Sequence, residues 1–309
     1  LPESDKETLP ILVELPLGTN RQSLFLRVVL PDWLGRGDPR PRQVPLRFYL
    51  VSPANRAPIP RSACTVQVDP VDIRVPSAIR IGLLKGPDDT VMRTLNAFDL
   101  DVRELDERSV PREALDRYHT LLVDSRALLR RKDLGSQVGR LLAYVHRGGH
   151  LVVLYHKAQE FNRDRTGVLL APYPLVLGRQ RVTREDAPIR ALLPEHVLLQ
   201  KPNRIKPEDW DGWVQERGLY FPRMGDYDSR YEELLSIREV PLRESEGVTA
   251  PEQDLEFEAQ RGGLLYAEYG AGSYVYCSLV LHRQLRIYHH GAARLLVNLV
   301  TPPGWKELR

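Results

Sequence analysis

Cysteine is nearly absent: Cys64 and Cys277 are the only two in 309 residues. Two thiols cannot build a disulfide scaffold, and no pair stands at zinc-ribbon spacing. A single bridge between them is not inferable, and the expectation is two small residues buried in strands. Long apolar runs are absent as well. None approaches the roughly 18 residues that cross a bilayer, so no membrane span is expected. Lysine is scarce, 7 against 37 arginines at a net charge of +3. The arginines scatter along the chain among Asp and Glu instead of gathering into a stripe, which argues against a nucleic-acid surface. There is no G-x-S-x-G, so a hydrolase serine elbow is excluded. Residue 1 is not Met. Leu1 opens onto the polar "PESDKET" with no apolar signal segment, as expected of a fragment or a processed product.

What is present is the composition of a globular protein, 42% hydrophobic and 28% charged, long enough for two domains. Residues 1–77 read as all-β. "ILVEL", "SLFLRVVL", "PLRFYLV" and "CTVQVDPVDIRV" are short apolar or alternating runs, separated by "PLGTN", "PDWLGRGDPRPRQ" and "SPANRAPIP". That spacing predicts a small β-sandwich-like domain, short for a complete one, with "VPSA" at 75–78 as linker.

From Ile79 the pattern alternates. "IRIGLL", "DVRELD", "YHTLLVDS" and "HLVVLYH" read as strands. Helices are expected at Asp88–Phe98, from near Pro111, and over "DLGSQVGRLLAYVHRG". This order predicts an α/β domain over 78–309, with a doubly wound, mostly parallel sheet of flavodoxin-like, glutamine-amidotransferase-like type. An insertion occupies about 160–260. Within it "PLVLGRQRVT" is a candidate strand, "PEDWDGWVQERG" reads as a helix, and "RESEGVTAPEQD" as an exposed excursion. "GGLLYAEYGAGSYVYCSLVL" reads as a hairpin, followed by a helix over about 291–300.

Ligands of such sheets gather where strand carboxyl ends meet helix N-termini. "KGPDDT" lies at such a place, and its paired Asp88 and Asp89 invite a metal reading. Zinc needs imidazole or thiolate as well. Gly86 stands where a His is required, and helix capping accounts for one of the aspartates. The strand "GGHLVVLYHK" ends where an amidotransferase carries its nucleophilic Cys, but Tyr155, His156 and Lys157 occupy that turn. Thiolate chemistry is therefore excluded there. His156, at a strand end, is expected to face the cleft. Trp210, Trp213, Tyr220 and Phe221 form either a sugar-stacking surface or the core of the insertion.

Taken together, "IGLLKGPDDTVMRTLNAFDLDVRELD", "LLVDSRALLRRKDL", "LLAYVHRGGHLVVLYHK", "PNRIKPEDWDGWVQERGLYFP", "GGLLYAEYGAGSYVYCSLVLHRQL" and "GAARLLVNLV" resemble, in order and spacing, the C-terminal region of large bacterial PIG-L (LmbE-like) deacetylases. There a β-sandwich and a degenerate class I glutamine-amidotransferase-like domain follow a zinc deacetylase domain. The resemblance covers about residues 79–300. It implies that this chain is the non-catalytic, accessory portion of an N-acetyl-sugar deacetylase, a hydrolase that is often exported to the periplasm or secreted. Zinc is then expected only in the separate deacetylase domain, and no cofactor in this chain. Relatives tend to carry Gln-Tyr-Asn where this chain has Leu154-Tyr155-His156.

The candidate cleft residues are Asp88, Asp89, Arg126, Tyr155, His156, Glu216 and Arg217. Arg126 and Arg217 suit an anionic or hydroxyl-rich ligand such as a carbohydrate. Equally, each can be a structural ion pair. Two competing readings are a stand-alone hydrolase using His156 with an acidic partner, and a purely structural protein-interaction domain.

Overall fold

The computed structural model describes residues 72–162, 169–238 and 259–306, together with the backbone of two strands, β1 (Val44–Phe48) and β2 (Cys64–Val68). β1 and β2 pair antiparallel, with Val44 opposite Val68. They fall on two of the β runs read from sequence. "ILVEL", "SLFLRVVL" and "RESEGVTAPEQD" lie outside the described residues.

The α/β portion begins with β3 (Arg80–Leu84), α1 (Thr90–Ala97) and β4 (Asp101–Glu104). A short helix α2 (Ser109–Arg112) leads to β5 (Thr120–Val123). Then come α3 (Ala127–Arg130), α4 (Leu134–His146), β6 (His150–Leu154) and α5 (Ala158–Phe161). The next segment holds short strands: β7 (Leu175–Leu177), β8 (Arg181–Val182), β9 (Ile189–Ala191), β10 (Gly218–Leu219), β11 (Pro222–Tyr227), β12 (Glu232–Glu233), β13 (Leu235–Arg238) and β14 (Ala259–Arg261). One helical turn, α6 (Val197–Gln200), lies among them. The chain closes with β15 (Leu264–Tyr269), β16 (Gly272–Cys277), α7 (Leu281–Arg286) and α8 (His290–Val300).

Seven strands form the main sheet, in the order β12-β15-β16-β6-β5-β3-β4. The five from β16 to β4 run parallel, and β15 and β12 add an antiparallel edge. The inner strands β5 and β6 are buried on both faces and read as largely apolar runs, whereas the edge strand β4 (Asp-Val-Arg-Glu) is mostly exposed. Ile81, Leu83, Leu122, Val152, Leu154 and Val275 pack on one side with Val91 and Leu95 of α1 and the apolar residues of α8. Leu84, Leu121, Val123, Leu151, Val153 and Tyr274 pack on the other with Val138, Leu141 and Tyr144 of α4. Helices thus cover both faces. The β15–β16 hairpin is the one expected, and Gly270 supplies the positive φ of its turn, 62°.

The four residues Val75–Ala78 carry no helix or strand. Nearby, the Arg74 N–H donates to Asn203 Oδ1 at 2.7 Å, and Asn203 Nδ2 donates to the Arg74 carbonyl at 3.0 Å. Cys277 is a free thiol, fully buried at the end of β16, and burial pushes its pKa up to about 12. Among the described residues no helix is long and apolar enough to cross a membrane.

Two elements differ from expectation. "PLVLGRQRVT" is divided between β7 and β8, which pair with different strands, β11 and β10. "PEDWDGWVQERG" is not a helix. It makes a single 3-10 turn, Pro207–Trp210, and Gly218 lies in a strand. Gly212 and Gln215 take positive φ, 75° and 67°, which interrupts helical winding. Asp209 is buried, accepting from the Lys206 N–H and pairing with Arg294 of α8. Tertiary contacts override the local helical pattern here.

Candidate functional site

The carboxyl ends of β3, β5, β6 and β16 converge on one end of the sheet. In the sheet β3 sits between β4 and β5, so the direction of winding reverses between β3 and β5. Crevices open at such reversals.

The loop after β3 is held against the end of β5. Gly86 donates its N–H to Asp124 Oδ2 at 3.2 Å, and Ser125 N–H donates to Asp124 Oδ1 at 2.6 Å. A side chain at residue 86 would bring a Cβ within 2.2 Å of the Ser125 carbonyl oxygen, so only glycine fits. Asp124 is 2% exposed. Burial raises its pKa to about 7, against the pull of the Gly86 and Ser125 N–H groups.

Asp88 and Asp89 are both engaged. Asp88 Oδ1 accepts the Thr90 N–H at 2.8 Å, and its other oxygen pairs with Arg286 of α7. Burial alone would raise its pKa; the hydrogen bonds from Thr90 and Arg286 hold it at about 2. Asp89 precedes α1 as its first flanking residue and pairs with Lys85 at 2.6 Å. The capping of α1 therefore falls to the Asp88 side chain. Among the described residues no cluster of three metal-ligating side chains occurs.

Arg126 follows β5 with a left-handed backbone, φ 57°, a conformation that costs a non-glycine residue energy. Its N–H donates to the Tyr155 carbonyl at 2.9 Å, tying the end of β5 to the end of β6. Its guanidinium grips Glu160 of α5, with Nη2 to Oε1 2.6 Å and Nε to Oε1 3.1 Å. Glu160 is 5% exposed and also accepts the Lys157 N–H.

At the elbow Tyr155 and His156 part company. The Tyr155 ring lies nearly parallel to two others, Tyr220 at 6.5 Å and 10° and His282 at 5.6 Å and 19°. His156 turns inward. It is fully buried, its Nδ1 lies 2.7 Å from the Leu154 carbonyl, and its Nε2 accepts the Leu128 N–H at 3.3 Å. Burial lowers its pKa to about 4. The ring is neutral at pH 7, donates through Nδ1 and has no free nitrogen.

Glu216 and Arg217 also point to different places. Glu216 pairs with Arg283 of α7 at 2.6 Å and with Arg181. Through Arg283 it borders the same end of the sheet. Arg217 is buried beneath the insertion, donating to the Ala187 and Trp210 carbonyls and lying over the Trp213 ring at 5.6 Å. Trp210, Trp213 and Phe221 are buried as core, and Tyr220 alone stays partly exposed beside Tyr155.

The structure thus brings together Asp88, Arg126, Tyr155 and Glu216 with Tyr220, one of the four aromatics weighed from sequence, and with residues not singled out there: Asp124, Ser125, His282, Arg283 and Arg286. Asp124 and Ser125 carried a signal, since "DS" ends the apolar run "TLLV" at a strand terminus. His282 carried none. Its place depends on the antiparallel hairpin returning the chain to this end.

No family model matches this chain, and no curated protein matches it. Among solved structures, cytoplasmic protein STM3548 from Salmonella typhimurium is 13% identical, with a TM-score of 0.42, over 84% of this chain and 94% of its own. Cytoplasmic protein STM1381 from Salmonella typhimurium LT2 is 13% identical, with a TM-score of 0.44, over 84% and 95%. The β-galactosidase from Rahnella sp. R3 is 12% identical, with a TM-score of 0.40, over 73% of this chain and 32% of its own. Likeness of this strength carries no function from one protein to another.

Proposed function

We propose that this chain is the non-catalytic accessory portion of a PIG-L family N-acetyl-sugar deacetylase, a flavodoxin-like domain behind a small β-sandwich, which binds and positions ligand at the carboxyl ends of its parallel strands. The observation that carries the non-catalytic part is the state of the elbow. Tyr155 stands where a nucleophilic thiol would, Cys277 is a buried thiol with a raised pKa, and His156 has both ring nitrogens engaged within the fold. A general base needs a nitrogen within reach of substrate. The strand order of the parallel set, with the reversal between β3 and β5, supports the flavodoxin-like assignment and the placement of the cleft. Zinc and hydrolysis belong, on this reading, to a separate deacetylase domain.

The test is turnover. The isolated chain is expected to release no acetate from N-acetylglucosamine, with or without added zinc. Turnover that disappears in His156→Ala would support the stand-alone hydrolase instead.

A further inference from the structure

Among the described residues, several buried polar atoms at this end of the sheet find no hydrogen-bond partner within the protein: Ser278 Oγ, just past β16, and two more. Ser125 Oγ is buried without a hydrogen bond, on a residue 5% exposed. His282 Nδ1 is likewise buried and unpartnered, on the ring that stacks against Tyr155. A buried polar group left unsatisfied costs about 1–3 kcal/mol, so such a group calls for an explanation, and a bound ligand is one.

The charged groups around them are in the opposite condition. Arg126 is paired with Glu160, Arg283 with Glu216, Arg286 with Asp88 and Lys85 with Asp89. An incoming anion would have to break one of these pairs and leave a carboxylate behind. A neutral ligand breaks none. The remaining surface is aromatic: Tyr220, partly exposed and held at a left-handed φ of 55°, lies nearly parallel to Tyr155. Aromatic faces suit the C–H face of a sugar ring, and a few placed polar groups fix its orientation.

We infer that the carboxyl end of the sheet binds a neutral, monosaccharide-sized carbohydrate, with the Ser125 hydroxyl and the His282 ring as its hydrogen-bonding pair and the partly exposed Tyr220 ring as its platform. The chemistry is matched. A serine hydroxyl and a neutral imidazole each donate and accept, as sugar hydroxyls do. Burial holds His282 neutral, with its pKa down at about 4. The inference rests on the ligand-binding part of the proposed function and narrows it from an anionic or hydroxyl-rich ligand to an uncharged one. It also replaces His156 by His282 as the histidine that meets ligand.

The experiment is a titration of the full chain with N-acetylglucosamine, glucose and sorbitol, and separately with N-acetylglucosamine 6-phosphate, followed by calorimetry and by the amide signals of Ser125 and Tyr155. The neutral sugars are expected to bind and to shift both signals, and the phosphate to bind no more tightly. Ser125→Ala is expected to weaken binding about tenfold, the worth of one hydrogen bond, without lowering the unfolding midpoint. Tyr220→Ala, at a partly exposed residue, is expected to weaken it as well. Three results would overturn the inference: no neutral probe binds, the phosphate binds best and is lost in Arg283→Ala, or Ser125→Ala leaves affinity unchanged. The deacetylase reading fails separately. Sugar binding by a chain whose native species lacks a zinc domain would sink that reading alone, and a zinc-bearing parent whose tail ignores sugars would sink this one alone.

Discussion

Arg126 and Glu160 form a two-pronged ion pair across the elbow, linking the loop after β5 to α5, with the carboxylate almost wholly buried. Such a pair positions backbone more than it offers charge to a ligand. Removing one partner leaves the other buried and unpaired, which is the costly change. Arg126→Ala is expected to destabilise the domain by about 2 kcal/mol, and the double variant Arg126→Ala/Glu160→Gln to recover most of that loss. Urea denaturation of the four members of the cycle measures the coupling. Equal stability of Arg126→Ala and the wild type would show the pair to be idle.

Gly86 makes a second, sharper prediction. Its Cβ position is occupied by the Ser125 carbonyl oxygen, which is backbone and cannot rotate away. Gly86→Ala should cost about 2–3 kcal/mol and pull the β3 loop from the end of β5. A denaturation midpoint equal to the wild type would mean that the loop shifts freely.

Asp124 predicts a pH dependence of stability. Its folded pKa is raised to about 7 from an unfolded value near 4. The folded state then binds the extra proton between those values, so this contribution is complete below about pH 4 and is lost as pH rises through 7. Asp88 and Lys85 are the charges that face it. Asp124→Asn should flatten the fall in stability between pH 4 and 7, read from urea midpoints across that range. An unchanged slope would place the titration elsewhere.

His150 and His156 act in the opposite sense. Both are buried, with pKa values lowered to about 4. Their contribution is present above the unfolded value near 6.5 and is lost as pH falls through 4. His150 ties the start of β6 to Ser273 of β16 and to the Leu299 carbonyl of α8. His156→Ala is expected to cost about 2 kcal/mol at pH 7, through lost packing and the orphaned Leu128 N–H, and to leave sugar affinity unchanged. Affinity lost at constant stability would restore His156 to the site.

Much of this architecture was legible in the residues. Uninterrupted apolar strands broken by amphipathic helices announced a parallel sheet with both faces covered, and the glycine turn at 270–272 announced the hairpin. The switch-point logic also brought Asp88 and Arg126 to one end of the sheet. What sequence could not supply was direction within a fully buried strand. All five residues of β6 are buried, so alternation does not say which of Tyr155 and His156 faces the crevice. Nor could it foresee that Asp209 would be claimed by Arg294, dissolving a helix that Pro207 and Trp210 suggested. His282 was hidden for a similar reason, because its neighbour Tyr155 lies 127 positions away.

The mass and zinc content of the native species in its source, measured on the same material, decide whether these residues are the tail of a deacetylase. A species far heavier than 35.4 kDa that carries zinc is the expected result. A zinc-free species of this chain's own mass would contradict the accessory role, and the turnover test of His156 would then come first.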